Sequence, residues 1–167
     1  MKSASGPPID CRRATSDDLS FVAAADRSHS PVFRDRASYE RLLGDDGLVL
    51  VALKGQDPVG FAAFCRVLDE AELLNLVVLP AARRRGCAAA LMHSAEGLLR
   101  ENGVRRLLLE VRPSNGPARR FYECCGFTVD GRRRAYYPAT AEHPAEDALL
   151  MSLPVGSPSL AAGRVPA

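Results

Sequence analysis

Residues 73–92 read LLNLVVLP, AARRRGCA and AALM, and this stretch decides the fold. Its first eight residues form a short apolar run, which predicts a buried strand. Pro80 ends that strand because proline has no backbone N–H to give to a ladder. After a cationic turn, apolar residues recur on one face of a predicted helix: Ala88, Leu91, Met92, Ala95, Leu98 and Leu99.

The turn between strand and helix has the composition of an anion site. A helix N-terminus offers unpaired N–H groups and the positive end of the helix dipole, which together favour a phosphate. Gly86 allows a close approach of the backbone, and the small side chain of Ala88 does not block it. Arg83, Arg84 and Arg85 add positive charge. An ordinary solvated turn is the alternative interpretation.

The composition bounds the class of protein. A chain of 167 residues fits one domain, and a net charge of +2 does not call for a nucleic-acid partner. Five cysteines, without a C-x-x-C pair or zinc-like spacing to the three histidines, predict a reduced, cytoplasmic protein without a metal. No apolar run has the length of a membrane span, and we expect no membrane association.

Strands and helices are expected to alternate along residues 9–153, after a loose lead-in at 1–8 and before a disordered tail at 154–167. The order predicts an α/β sandwich with a mostly antiparallel sheet. The predicted strands are 9–13, 48–54, 59–67, a strand ending at 79, 104–111, 127–130 and 148–153, with helices after 15–18, at 39–43, after Gly86 and before Gly126.

Several motifs, in this order and spacing, resemble those of the ribosomal-protein alanine N-acetyltransferases (RimI type), within the GNAT family of N-acetyltransferases. The RRRGCA turn at 83–88 is similar to the family's pyrophosphate loop. The more specific motifs are LEVR at 109–112, SN at 114–115, FYE at 121–123, GF at 126–127, YYP at 136–138 and EDA at 146–148.

The resemblance implies the GNAT fold, in which the fourth and fifth strands part like a V and acetyl-CoA lies in the gap. It also implies how the coenzyme is held. The backbone of Leu76, Val77 and Val78 would bind the pantetheine arm, and the side chain of Asn115 would contact the coenzyme, although Asn115 is also placed to cap the next helix. Residues 83–88 would bind the diphosphate: Arg83, Arg84, Arg85, Gly86, Cys87 and Ala88.

Two side chains are candidates for the chemistry of acyl transfer. Glu110 follows three leucines in a buried strand, where a lone carboxylate is costly, so it is either a general base or a solvated partner of Arg112. Tyr122 is either a half-buried helix aromatic or the acid that protonates the departing thiolate. The resemblance assigns the catalytic base to Glu110 and the acid to Tyr122.

The acceptor is predicted less directly. An α-ammonium with a pKa near 8 costs only about 1.4 kcal/mol to deprotonate at pH 7, against about 4.6 kcal/mol for lysine, which favours a protein N-terminus. The resemblance implies the N-terminal alanine of a small-subunit ribosomal protein, bound by Tyr136 and Tyr137. A small-molecule amine acetyltransferase remains an alternative, because Pro31-Val32-Phe33 departs from the family pattern. A further alternative is a non-catalytic protein, either an acetyl-CoA sensor or an RNA-associated protein that uses Arg132–Arg134.

Overall fold

A computed structural model describes residues 8–30, 33–139, 141 and 144–156. Within these residues, one seven-stranded sheet has the order β1-β2-β3-β4-β5-β7-β6. The strands are β1 (Ile9–Arg13), β2 (Gly47–Lys54), β3 (Asp57–Val67), β4 (Glu70–Val78), β5 (Arg106–Val111), β6 (Thr128–Tyr137) and β7 (Glu146–Pro154). The helices are α1 (Leu19–His29), α2 (Arg36–Arg41), α3 (Cys87–Glu101) and α4 (Gly116–Cys124).

Helices cover both faces of the sheet. On one face α3 packs its apolar stripe on alternate residues of the strands, and α4 joins the same core through Ala118, Phe121 and Tyr122. On the other face α1 and α2 form a smaller core with β2, β3 and the far end of β4, around Val22, Tyr39 and Phe61. The predicted helical stripe is correct except at its start, where Cys87 is buried and Ala88 is only partly so.

Strands β4 and β5 are the one parallel pair described, and they part half-way. Their register runs from Glu70 opposite Arg106 to Leu73 opposite Leu109, and the pairing stops there. In the pairing with β3, Phe64 lies opposite Leu73 and its neighbour Ala63 lies opposite Asn75. Leu74 has no partner and is therefore the extra residue of a β-bulge. The predicted splay of the fourth and fifth strands is therefore confirmed, and it begins at this bulge.

Most predicted elements are present, with shifted boundaries. Helix α2 begins at Arg36, where the Asp35 side chain accepts a hydrogen bond from the Ser38 N–H at 2.9 Å, and not at residue 39. Strand β7 continues to Pro154, and the Val155 N–H binds the Arg105 carbonyl at 2.9 Å, so ordered contacts continue past the expected boundary at 153. Residues 1–7 of the lead-in, 157–167 of the tail, and Pro31 and Val32 lie outside the described residues.

The clearest correction concerns β6. The sequence predicts a strand at 127–130 only, which leaves Arg132–Arg134 and the two tyrosines outside it. The strand instead runs on from Thr128 to Tyr137, because residues 128–129 and 131–133 pair with β7 on either side of a bulge at Asp130. The arginines and both tyrosines are thus strand residues beside β7. No helix in the described part of the chain combines the length and apolar character that crossing a bilayer requires.

Candidate active site

The Arg/Gly turn leads directly into α3, as predicted. Residues 83–86 are exposed, and Gly86 takes the left-handed conformation (φ 77°) immediately before the first helical residue. The Ala90 N–H binds the Gly86 carbonyl at 2.9 Å, which closes the first helical turn. The amides of that first turn have no carbonyl partner inside the helix, so the turn presents backbone donors to an anion.

Cys87 has a packing role in this turn. Its thiol is buried, and burial raises its pKa to about 11, so the thiol stays protonated at neutral pH. A Cβ added to Gly60 of β3 would lie 3.3 Å from the Cys87 sulfur and 2.8 Å from the Val77 carbonyl oxygen. Glycine is therefore required at position 60, which the sequence alone did not indicate, and only the backbone of Cys87 is available to a ligand.

The far end of β4 exposes backbone groups to the gap. The Leu79 N–H binds the Val59 carbonyl at 2.9 Å, so Leu79 and, by alternation, Val77 direct their backbone groups to β3. Leu76 and Val78 direct theirs to the gap. The Val78 carbonyl already accepts a hydrogen bond from the Arg83 Nε at 3.0 Å. Of the three predicted residues, Val77 is therefore committed to the ladder, which corrects our expectation for its backbone.

Asn115 lies between the end of β5 and the start of α4. Its side-chain oxygen accepts a hydrogen bond from the Ala118 N–H at 3.2 Å and so caps α4. The residue is exposed. The helix cap leaves its amide nitrogen available to a ligand.

Glu110 occupies the apex of the gap. It follows Leu109, the last β5 residue with a β4 partner, while its other side still pairs with Leu150 of β7. Its carboxylate lies 3.2 Å from the Arg133 guanidinium, and the interaction with Glu110 raises the pKa of Tyr136. Only 17% of the Glu110 side chain is exposed, so its carboxylate is sheltered. Within the described residues, its backbone has a strand partner on the β7 side and none on the β4 side.

A second carboxylate faces Glu110 across the two strands. Alternation puts Glu72 and Glu110 on the α1–α2 face, since Leu73 and Leu109 belong to the α3 core. Burial raises the pKa of Glu72, and the negative charge of Glu110 raises it further. This face of the gap is therefore suited to a cationic group.

Tyr122 lies on the opposite side of the sheet. Its ring packs between Phe121 and Phe127, with centroids at 5.4 and 5.7 Å, and contributes to the α3 core. Burial raises the pKa of its hydroxyl, which is therefore protonated at neutral pH. Among the described residues no group accepts a hydrogen bond from this hydroxyl, so it is available as a proton donor. Glu110 and Tyr122 thus lie on opposite faces of the sheet.

Tyr136 and Tyr137 end β6, and a bulge turns them toward the site. Ala135 has a positive φ (49°), and its N–H binds the Asp147 carboxylate at 2.9 Å. The two rings lie edge to face at 5.0 Å. Burial, followed by the charge of Glu110, raises the pKa of Tyr137 to about 12. Glu110 also raises the pKa of Tyr136, so both tyrosines lie near this carboxylate.

Two arginines that the sequence analysis did not select support these tyrosines. The Arg133 guanidinium lies over the Tyr136 ring at 4.5 Å, and that of Arg112 lies over Tyr137 at 4.1 Å. Arg112 is also 3.6 Å from Glu146, which binds the Ser114 N–H at 2.6 Å. Arg112 is thus paired with Glu146 in the structure, and the alternative of an Arg112–Glu110 pair is not what is observed.

The geometry of this site is accompanied by a match to a known family. Residues 13–127, more than half of the chain, match the model of the acetyltransferase (GNAT) family. The chain belongs to the GNAT family. Within the described residues of this GNAT domain, no three His, Cys, Asp or Glu side chains are grouped as metal ligands would be.

Individual relatives of the GNAT domain are similar over different lengths. The ribosomal protein bS18-alanine N-acetyltransferase of Escherichia coli K12 is 44% identical over 95 residues, which are 57% of this chain and 63% of that protein. The match thus spans less than two thirds of that relative. The protein of the same name from Haemophilus ducreyi is 37% identical over 115 residues, covering 67% and 79%.

A solved structure extends the similarity to nearly the whole fold. The ribosomal-protein-S18-alanine N-acetyltransferase from Escherichia coli superposes with a TM-score of 0.80 and 31% identity, covering 90% of this chain and 96% of that chain. The splayed GNAT sheet described above is therefore similar to that of a known acetyltransferase.

Proposed function

We propose that this protein transfers an acetyl group from acetyl-CoA to the α-amine of a protein N-terminus, the N-terminal alanine of a small-subunit ribosomal protein. The observation that carries the proposal is the position of Glu110 at the apex of the gap, sheltered and on the same face as Glu72. The names of the relatives support the choice of acceptor.

Acetyl-CoA, the acetyl donor, would lie in the gap between β4 and β5. The outward backbone groups of Leu76 and the Val78 N–H would pair with its pantetheine amides as a neighbouring strand does. Its diphosphate would bind the N-terminus of α3, with Arg84 and Arg85 adding positive charge. Asn115 would contact the coenzyme beyond the α4 cap.

The acceptor would approach from the α1–α2 face. Glu110 takes a proton from the α-ammonium, directly or through one water, and the neutral nitrogen attacks the thioester carbonyl. The carbon–sulfur bond then breaks, Tyr122 gives its proton to the departing thiolate from the opposite face, and the acylated nitrogen releases its second proton to water, from which Tyr122 is reprotonated. A carboxylate of ordinary basicity suffices for this acceptor, because an α-ammonium costs about 1.4 kcal/mol to deprotonate at pH 7.

The deciding experiment compares acceptors at saturating acetyl-CoA. A short peptide that begins with alanine and contains one internal lysine should gain one acetyl group at its α-nitrogen, located by fragmentation mass spectrometry. The same peptide with a blocked N-terminus is the matched control and should gain none. Preferred acetylation of polyamines or free amino acids would instead identify a small-molecule acetyltransferase, and acetylation of the blocked peptide would identify a lysine acetyltransferase.

The ribosomal acceptor requires a cellular test. Intact-mass spectra of small-subunit ribosomal proteins should show one protein lighter by a single acetyl group in cells that lack this chain. Restoring the chain should restore the mass, and restoring the Glu110→Gln variant should not. Identical spectra in all strains would contradict the ribosomal acceptor.

A further inference from the structure

A buried carboxylate joins four segments beneath the acceptor face. Asp26 of α1 is completely buried. It accepts hydrogen bonds from the Arg34 N–H at 2.7 Å, from the Tyr39 hydroxyl of α2 at 2.7 Å and from the Asn75 side chain of β4 at 2.5 Å. Ser30 extends the cluster, since its hydroxyl lies 3.2 Å from the Asn75 amide nitrogen. We call Asp26, Ser30, Arg34, Tyr39 and Asn75 the Asp26 cluster.

The carboxylate in this cluster is held by neutral donors. Within the described part of the chain, Asp26 forms no ion pair with an Arg, Lys or His side chain. A buried carboxylate is costly unless its oxygens are saturated, and here three donors from three different segments saturate them. Each donor segment is therefore held at hydrogen-bond distance from one point of α1.

The segments so held adjoin the proposed acceptor path. Asn75 follows the bulge residue Leu74, at which β4 separates from β5. Arg34, whose backbone is tied to Asp26, directs its guanidinium to the Leu74 carbonyl at 3.5 Å, and its positive charge acts on Glu72. The Asp26 cluster thus connects the wall formed by α1 and α2 to the strand that carries Glu72.

We infer that Asp26 is a positioning residue for the acceptor. Through Asn75 and Arg34 it sets the distance between the α1–α2 wall and the far half of β4, and so the width of the acceptor path on that face. Acetyl-CoA is proposed to lie along Leu76, Val78 and the α3 N-terminus, and within the described residues no side chain of the cluster forms a hydrogen bond with these groups. The inference rests on the proposed function.

The test is a comparison of steady-state constants. In Asp26→Asn one oxygen becomes an NH2 group that faces N–H and O–H donors, so the three segments separate. We expect the KM for an alanine-starting peptide to rise by about tenfold, the effect of roughly one lost buried hydrogen bond. The KM for acetyl-CoA and kcat should each stay within about twofold.

Glu96→Gln is the matched control. Glu96 of α3 is also a buried carboxylate (5% exposed), and it binds the Gly156 N–H at 2.6 Å. It lies on the other face of the sheet, so this variant should lose thermal stability in the same way and leave the acceptor KM unchanged. Equal rises of the acceptor KM in Asp26→Asn and Glu96→Gln would overturn the inference, because general destabilisation would then account for both.

A milder variant decides the matter if Asp26→Asn does not fold. Tyr39→Phe removes one donor and keeps the ring packed on Phe61, and it should raise the acceptor KM by about threefold. An acceptor KM within a factor of 1.5 of wild type in this variant overturns the inference. If the proposed function is wrong, the wild-type protein acetylates no peptide, and the inference about Asp26 is then wrong as well.

Discussion

The Arg133 guanidinium lies 3.2 Å from the Glu110 carboxylate, although β7 separates their strands in the sheet. Arg133 is 59% exposed. An ion pair with so exposed a partner contributes at most about 1 kcal/mol, so an incoming ammonium can replace the guanidinium at little cost. The resting site therefore holds a cation at the position proposed for the acceptor's amine.

Replacing Arg133 by alanine tests this exchange. Without the competing guanidinium, we expect the acceptor KM to fall by about two- to fivefold, which corresponds to the energy of an exposed ion pair. Arg132→Ala is the control, because it removes an equal charge from a neighbouring residue of β6. A raised acceptor KM in Arg133→Ala would show that the arginine organises the acceptor site and does not compete with the acceptor.

Glu110→Gln tests the base. The amide keeps the size of the side chain but cannot take a proton, so kcat at saturating substrates should fall by roughly 100- to 10,000-fold. Binding of acetyl-CoA, measured by calorimetry, should be unchanged. Glu123→Gln on the exposed side of α4 is the matched control. Turnover of Glu110→Gln at the wild-type rate would exclude Glu110 from the mechanism.

Tyr122→Phe tests the acid. The ring and its contacts with Phe121 and Phe127 are kept, and no described group loses a hydrogen bond, so the free energy of unfolding should change by less than about 0.5 kcal/mol. The turnover number should nevertheless fall by roughly 100-fold, because the thiolate loses its proton donor. A normal kcat in a folded variant would assign Tyr122 to packing alone.

Substitutions at Gly86 and Gly97 allow the energetic effect of backbone strain to be measured apart from the effect of added side-chain bulk. At both Gly86 and Gly97 an added Cβ meets no atom within 4 Å. Gly86 has a φ of 77°, so Gly86→Ala should destabilise the protein by about 1–2 kcal/mol and raise the KM for acetyl-CoA. Gly97 lies inside α3, where alanine should stabilise by about 0.5–1 kcal/mol. Thermal unfolding of both variants measures the difference, and equal shifts would contradict it.

The sequence predicted the parts of the site that depend on local chemistry. The strand ending before Pro80, the Arg/Gly turn and α3 follow from residue types that stop a ladder, free the backbone and continue a helical stripe. The length of β6 could not be predicted in this way. Three consecutive arginines have no alternating pattern, and they form a strand because β7 supplies the hydrogen bonds.

The Asp26 cluster was missed although a signal was present. Asp26 lies three and four residues after Ala23 and Val22, on the apolar side of α1, where a carboxylate requires an explanation. What the sequence could not show is that its donors come from residues 34, 39 and 75, because these contacts join three separate segments to α1, one of them 49 residues away. A buried acid can be noticed from its neighbours in a helix, but its partners are a property of the tertiary fold.

The bulge at Leu74 divides β4 into two parts with opposite phase. Before it, odd-numbered residues such as Leu73 face α3, and after it even-numbered ones such as Leu76 do. Deleting this single residue would place Asn75 directly after Leu73 and leave the later side chains on their present faces, but it would restore an uninterrupted ladder and remove the irregularity at which β4 leaves β5. A chimaera between this protein and a relative should therefore be joined outside residues 73–75, so that the bulge at Leu74 is transferred intact.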